Sequence, residues 1–239
     1  MGSGMYVAMA GARAQSDALD TTANNVANAG TAGFRAERIA FSEMLSRARA
    51  PDMAYAAATR SRPDTTQGAI RTTDNPLDLA IRGDGFFAVQ TPAGVRYTRD
   101  GAFRLDADGQ IVDARGFALL DQSGAPLSVP PETGSIDVGA DGTVRADGVE
   151  VGVVQIARFS PDQLRREGNN LFVARGAPRA ASDDLPEVVS GALEQSNVNV
   201  VRGMVGLVKV SRTYEALLRM IESYRDIDAR TARDIGGPK

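Results

Sequence analysis

Between residues 83 and 148 the chain is broken every few residues by glycine in a turn setting. The breaks are Gly83-Asp84-Gly85, Pro92-Ala93-Gly94, Asp100-Gly101, Asp108-Gly109, Arg115-Gly116, Ser123-Gly124, Asp141-Gly142 and Asp147-Gly148. Asp bonds its own backbone two residues on, and glycine enters the left-handed region without steric cost. Only short strands fit between such breaks. Leu77-Asp78-Leu79-Ala80-Ile81 alternates, Phe86-Phe87-Ala88-Val89 has the composition of a buried strand, and Val151 to Ala157 is the strongest strand of the second half. Short apolar runs joined by Asx-Gly turns imply antiparallel pairing in an irregular barrel or sandwich. No strand alternates with a long helix, so a doubly wound parallel sheet is excluded. Pro76 constrains Asn75 to an extended or turn geometry. Leu77, Leu79 and Ile81 then share one strand face, with Asp78 and Ala80 on the other. Asp78 is expected to bind nearby backbone or an arginine, and Gly83 and Gly85 to turn the chain into Phe86 and Phe87. Asn75 through Phe87 is thus expected to serve as scaffold.

Both ends read as helix. From Met5 to about Ala29 there is no proline and much alanine, which favours helix. Met5, Ala12, Leu19 and Val26, with Met9, Ser16 and Ala23, form a weak stripe of mostly small residues. Gly30 is the expected C-cap, Thr31-Ala32-Gly33 a turn, and Phe34 folds back over apolar surface. Ile39, Phe41, Met44 and Leu45 continue as an ordered or partly helical piece, and residues 46 to 67 as an extended connection. From Val198 to about Ile227 the chain is again free of proline, with Leu207, Val210, Tyr214, Leu217, Ile221 and Tyr224 at steps of three and four. A helix of that span is roughly 45 Å long. Gly203 and Gly206 lie near its start, each costing roughly 1 kcal/mol against alanine. The expected fold is mixed α and β. Long terminal helices, paired in a coiled-coil-like arrangement, flank a β-rich, mostly antiparallel middle. The divisions are 1–33, 34–67, 68–190 and 191–239. Asn24 and Asn28 share a helix face while Asn25 is offset; in a buried inter-helix seam the three asparagines would select one register.

Composition removes most chemistry. Histidine, cysteine and tryptophan are absent, and Lys209 and Lys239 are the only lysines. Thiol, disulfide, His-triad and Cys/His-zinc chemistry are therefore excluded. Lys plus Arg total 27 against 30 Asp plus Glu, a net charge of -3, which offers no phosphate-tracking field and no nucleic-acid partner. No run is apolar enough to span a membrane, and the start lacks the features of a cleaved signal. Asp106-Ala107-Asp108-Gly109 resembles the opening of a calcium loop but lacks the glutamate at its twelfth position, so a hairpin turn is expected. Asp183-Asp184 reads as a solvated loop and Arg165-Arg166 as an exposed turn. No catalytic residue, cofactor site, metal site or small-molecule substrate is assigned. A glycan-binding β module would show aromatic platforms, which 5% aromatics without tryptophan disfavours. An enzyme using only carboxylates and arginine would need two carboxylates with opposed pKa shifts.

Four segments carry a resemblance. They are Ala23-Asn24-Asn25-Val26-Ala27-Asn28-Ala29-Gly30-Thr31-Ala32-Gly33-Phe34-Arg35; Gln67-Gly68 through Asn75-Pro76-Leu77-Asp78-Leu79-Ala80-Ile81-Arg82-Gly83-Asp84-Gly85-Phe86-Phe87; Tyr97-Thr98-Arg99-Asp100-Gly101-Ala102-Phe103; and Gly191-Ala192-Leu193-Glu194-Gln195-Ser196-Asn197-Val198-Asn199-Val200. In this order they resemble the bacterial flagellar rod and hook family over nearly the whole chain. The start at Met5 and the stretch Leu164 to Phe172 are most similar to proximal-rod members; distal-rod and hook-type members remain the alternative. The resemblance implies a structural protein without catalysis or cofactor. It also implies export by the flagellar type III apparatus without signal cleavage. Assembly would take place in the periplasm with copies of itself and other rod proteins. The helices would line the inner rod and the β middle would lie outside. The implied assembly residues are Asn24, Asn25, Asn28, Phe34, Ser196, Asn197 and Asn199, with the seam from Leu207 to Tyr224. Arg202 and Gly203 stand where relatives usually carry acidic residues.

Overall fold

The structure, a computed structural model, describes residues 2–45, 54–130, 132–179 and 186–236. It divides into two compact units. One gathers Met1–Ala27, Glu37–Ser61 and Asn199–Lys239, and the other Asn28–Ala36 and Arg62–Val198. Asp183-Asp184 and residues 46–53 of the expected connection lie outside the described residues.

The first unit holds α1 (Gly2–Ala27), β1 (Glu37–Leu45), most of β2 (Ala54–Pro63) and α2 (Val200–Gly236). The two helices pack against each other. A Cβ built on Gly4 would stand 2.9 Å from the Tyr224 hydroxyl, and one on Gly11 3.5 Å from Leu217 Cδ1. On α2, a Cβ on Gly203 would stand 2.7 Å from Val26 Cγ2 and one on Gly206 3.8 Å from Thr22 Cγ2. As α1 is followed forwards α2 is followed backwards, so the pair is antiparallel. Small residues face large ones at both ends. Leu207, Val210, Tyr214, Leu217, Ile221 and Tyr224 are all half-buried. On α1 the covered face differs from the expected stripe: Ala8, Ala12, Ala14 and Ala18 are buried, while Met9 and Ala23 are exposed. The α2 glycines likewise stand at contact positions, where loss of a side chain lets α1 approach.

That register separates two otherwise identical substitutions. Gly203→Ala is expected to lower the thermal midpoint of the helices although alanine brings about 1 kcal/mol of helix propensity. Its methyl meets Val26, whose branched side chain has one strongly favoured rotamer in a helix. Gly206→Ala finds ordinary contact distance and is expected to raise the midpoint. Far-UV circular dichroism on the full chain reads both; shifts of the same sign would refute the register.

Three further differences from expectation have local causes. Residues 37–45 form a strand paired with β2 and not a partly helical piece; Ile39 and Phe41 alternate with Ala40 and Ser42, the period of a strand. Helix α2 runs on to Gly236, because neither glycine nor proline falls between Ile227 and Gly236 and Arg233 sits favourably in the last turn. The N-terminal helix ends at Ala27, and Gly33, not Gly30, takes the left-handed conformation, with φ of 63°.

The second unit contains β3 (Ile70–Thr72), β4 (Leu79–Arg82), β5 (Phe86–Thr91), β6 (Gly94–Thr98), β7 (Arg104–Leu105), β8 (Ile111–Val112), β9 (Ala118–Leu119), β10 (Ile136–Val138), β11 (Thr143–Ala146), β12 (Val149–Val153), β13 (Ile156–Ala157), β14 (Leu164–Gly168), β15 (Leu171–Ala174), β16 (Glu187–Ser190) and β17 (Ala192–Glu194). The main sheet runs β14-β15-β6-β5-β9-β8-β7, with β13 also on β5; β10-β11-β12 is a meander, and β16-β4 and β17-β3 are pairs. Every pairing is antiparallel, as the turn chemistry implies. Leu79, Ile81, Phe87, Ile111, Leu119 and Val144 belong to the larger core, and Phe86, Phe159 and Phe172 to a smaller one. Each fully buried side chain of this size contributes about 1.5–3 kcal/mol.

The glycine turns reveal a repeated device. Asp106–Gln110, Asp113–Phe117 and Asp121–Ala125 are the same five-residue loop. In each the first amide donates to the last carbonyl, and the glycine amide at the fourth position to the first carbonyl. The aspartate Oδ1 accepts from the third and fifth amides at 2.8–3.0 Å. Asp106 therefore spends its carboxylate on backbone, the hairpin-turn outcome. Gly139–Thr143 repeats the main-chain bonds with glycine in first place, and Asp141 caps Thr143 instead. Hydrogen bonds from Ser123 hold the Asp121 carboxyl below the usual range, those of Thr143 do so for Asp141, and those of Gly134 and Ser135 for Asp147. A carboxyl depressed in the folded state contributes stability that is complete above its unfolded pKa and is lost as pH falls through the folded one. The β unit is accordingly expected to lose stability below about pH 4. Urea midpoints across pH 2–6 check this, and Asp121→Asn should flatten the slope.

Candidate functional site

Of the asparagines near the end of α1, Asn25 donates from Nδ2 to the Glu37 carbonyl and accepts from the Glu37 amide, both at 2.8 Å, fastening the start of β1. Asn24 is exposed. Asn28 accepts from the Thr31 hydroxyl at 3.3 Å. Asn25 is thus spent on β1 and not on α2. Asn199 caps α2: its Oδ1 accepts from the Arg202 amide at 2.9 Å, the geometry of an N-cap. Ser196 Oγ accepts from the Val198 amide at 3.2 Å.

In the β unit, two short segments distant in sequence lie side by side. Gly33 donates to the Glu194 carbonyl at 2.7 Å and Asn197 to the Phe34 carbonyl at 3.3 Å. The Asn197 side chain accepts from the Ala36 amide at 2.7 Å and donates to the Asp64 and Thr66 carbonyls at 3.0 and 2.9 Å. Residues 32–36 and 194–197 thus form two straps. The side chain of Glu194, the first residue of the second strap, is 1% exposed. One oxygen meets Arg35 at 2.9 Å and the other Arg99 at 3.0 Å, with side chains 1% and 2% exposed. The first oxygen also accepts from the Gly68 amide at 2.8 Å. Arg99 donates further to the Ile81 and Gly83 carbonyls, and Arg35 to that of Thr66. Burial lowers the Arg35 guanidinium and pulls Arg99 down to about 10, with the Glu194 charge opposing both. Both stay protonated at neutral pH. Two cations therefore share one buried carboxylate, and Asp64 and Asp84 supply further negative charge. Removing one partner from such a cluster typically costs about 3–5 kcal/mol.

Phe34 is buried, and the Arg166 guanidinium lies over its ring at 4.5 Å and over Phe172 at 4.9 Å. Arg166 also bonds the Arg35 carbonyl, and Asn170 donates to that of Ala32 at 2.8 Å. Arg166 is therefore a clamp and not an exposed turn residue; the turn itself is Asn169-Asn170, both at positive φ. Two glycines are required by contact. A side chain on Gly33 would overlap the Arg99 backbone, and one on Gly68 the Gln195 carbonyl.

The Asn75 segment braces this region. Asp78 accepts from the Thr73 hydroxyl at 2.6 Å and from Asn75 Nδ2 at 3.0 Å, side-chain partners in place of the expected backbone or arginine. Leu79, Ala80 and Ile81 are all buried, so both faces of β4 are covered. Leu77 packs against the core and Ser190 Oγ donates to the Pro76 carbonyl. Gly83 and Gly85 have positive φ. Phe87 meets Phe103 edge-on at 5.4 Å, and Phe86 meets Phe172 at 5.5 Å. Arg35, Arg99, Arg166, Asn170 and Glu194 received no role from sequence. The one available signal was that each lies inside a recognisable segment.

Comparison with known proteins gives the frame for these clusters. Residues 5–35 match the family described as flagella basal body rod protein, residues 80–146 the flagellar hook protein FlgE/F/G D1 domain, and residues 189–234 the flagellar basal body rod FlgEFG protein C-terminal family. The chain is similar to the flagellar basal-body rod protein FlgF of Mesorhizobium japonicum, with 36% identity over 95% of this chain and 96% of the relative. The chain belongs to the flagellar basal-body rod protein family. FlgF of Rhizobium meliloti is 34% identical over the full length of both, and FlgG of Bacillus subtilis 30% identical over 93% and 95%. Within this rod family frame, the straps join the matched N-terminal and C-terminal segments.

Proposed function

We propose that this chain is a structural subunit of the flagellar basal-body rod, in its proximal part, without catalytic activity. The observation that carries the reading is unspent apolar surface on helices that already cover each other. On α2, Val201, Met204, Val205 and Val208 are exposed at steps of three and four, outside the face turned to α1, and on α1 Tyr6, Val7 and Met9 are exposed. Such surface marks contact with other chains. Different patches on one helical pair suit head-to-tail contacts, which propagate an open axial array. The two FlgF-named relatives at 34–36% identity, against 30% for the FlgG-named one, favour the proximal over the distal position.

On this reading the helices pair in coiled-coil fashion inside the rod and the β unit lies outside. Partners are further copies and other rod proteins, reached in the periplasm after export by the type III apparatus. Asn24, Asn28 and Ser196 are assigned to subunit contacts, and Asn25, Phe34, Asn197 and Asn199 to fixing the segments that present them. The test is imaging of intact basal bodies carrying a labelled copy of the chain. Density between the export gate and the distal rod is expected; density in the distal rod would assign the alternative position, and absence from the basal body would refute the reading.

A further inference from the structure

We propose that Glu194 makes strap docking hierarchical: residues 194–197 form the seat on which residues 32–36 dock, so that the N-terminal strap locks only once the C-terminal end of the β unit is in place. This concerns the β unit alone and goes beyond the rod assignment, standing or falling independently of it.

The asymmetry lies in where each bond goes. The C-terminal strap has its own ties to the domain. Strand β17 pairs with β3, the Gln195 amide donates to the Ala69 carbonyl at 2.8 Å, and Glu194 binds Arg99 and the Gly68 amide. The N-terminal strap has domain ties at its carbonyls, where Asn170 bonds Ala32, Arg166 bonds Arg35 and Asp64 bonds Ala36. Its amides and its charge depend on the other strap: Gly33 donates to the Glu194 carbonyl, Ala36 to the Asn197 side chain, and Arg35 places its guanidinium on Glu194. Charge deepens the difference. With Arg35 gone, Glu194 and Arg99 remain a one-to-one buried pair. With Glu194 gone, two guanidiniums at 1–2% exposure lose their carboxylate, the costly outcome for buried charge. Arg35 and Glu194 are far apart in sequence, so the lock reports that a chain is complete to its last strand.

Amide hydrogen exchange on the full chain tests this, with Gly33 and Ala36 reporting the N-terminal strap, Gln195 the C-terminal strap and Ala88 the sheet. Arg35→Met is expected to cut protection at Gly33 and Ala36 by at least about 100-fold while Gln195 keeps its own. Glu194→Gln is expected to release Gly33, Ala36 and Gln195 together with Ala88 unchanged. If Glu194→Gln also exposes Ala88, Gly68→Ala replaces it. That methyl displaces Gln195 while keeping every charge, and is expected to release both straps. The proposal is overturned if Arg35→Met releases Gln195 as well, or if Gly33 and Ala36 stay protected when Gln195 is released.

Discussion

Leu79→Asp is expected to abolish the cooperative unfolding transition of the β unit. Leu79 is 1% exposed in the larger core, paired through β4 to Ser190 of β16, and its amide donates to the Gly101 carbonyl at 2.9 Å. Gly101 is glycine because a side chain there would overlap the Leu79 carbonyl, so the backbone cannot swing to carry a charge outwards. Losing the leucine costs about 2–5 kcal/mol. The aspartate adds the cost of a buried carboxylate, or of taking up a proton to avoid it. Together these approach the 5–15 kcal/mol that holds a typical domain. Asp78→Asn, one residue away, is expected to cost only about 1 kcal/mol. The amide oxygen can still accept from Asn75, and the Thr73 hydroxyl can turn to accept from the new NH2 group. Thermal unfolding followed by tyrosine fluorescence compares the two. A Leu79→Asp protein melting within a few degrees of the parent would show that β4 does not face the core as described.

The contrast between these neighbours also shows what the sequence could and could not disclose. Turn chemistry is local, so the Asp-x-x-Gly hairpins and the antiparallel middle were readable from residues next to one another. The α2 seam was readable because large side chains recur at helical spacing. The facing side of α1 was not, because Gly4 and Gly11 contribute by what they lack, and a hydrophobic pattern is blind to an absence. For the same reason Gly203 and Gly206 looked like weaknesses until Val26 and Thr22 were seen opposite them. The straps were least legible. Arg35, Arg99 and Glu194 are widely separated in sequence, and each alone has the composition of a solvated surface. Only the fold brings one carboxylate between two guanidiniums. Asp78 illustrates the same limit: its place on the face opposite Leu79 was foreseen from alternation, but its partners Thr73 and Asn75 depend on the left-handed turn at Asp74, which no residue type announces.

Leu217→Asp is expected to eliminate incorporation into basal bodies, and motility with it, while the β unit keeps its fold. Leu217 lies mid-seam on α2 against Gly11, with Tyr214 and Ile221 one turn away on either side. Helix α1 brings mostly alanine and glycine to this contact, so the pair buries little area and has little stability to spare. Most of the stability of a protein helix comes from packing of its apolar face. A carboxylate at Leu217 must enter that face unpaired or push α1 away, and either outcome removes the surface on which other subunits dock. Thr213→Asp places the same charge one turn earlier on the exposed side of α2 and is expected to leave far-UV dichroism at the parent value. Comparing the two separates charge on the helix from charge in the seam. Amide exchange at Ala88 and Leu120, whose amides are bonded inside the β unit, verifies that the domain is intact in both. If Leu217→Asp enters basal bodies at normal stoichiometry, the antiparallel seam is not what holds the subunit in the rod. The exposed stripe of Val201, Val205 and Val208 would then dock without needing the seam behind it.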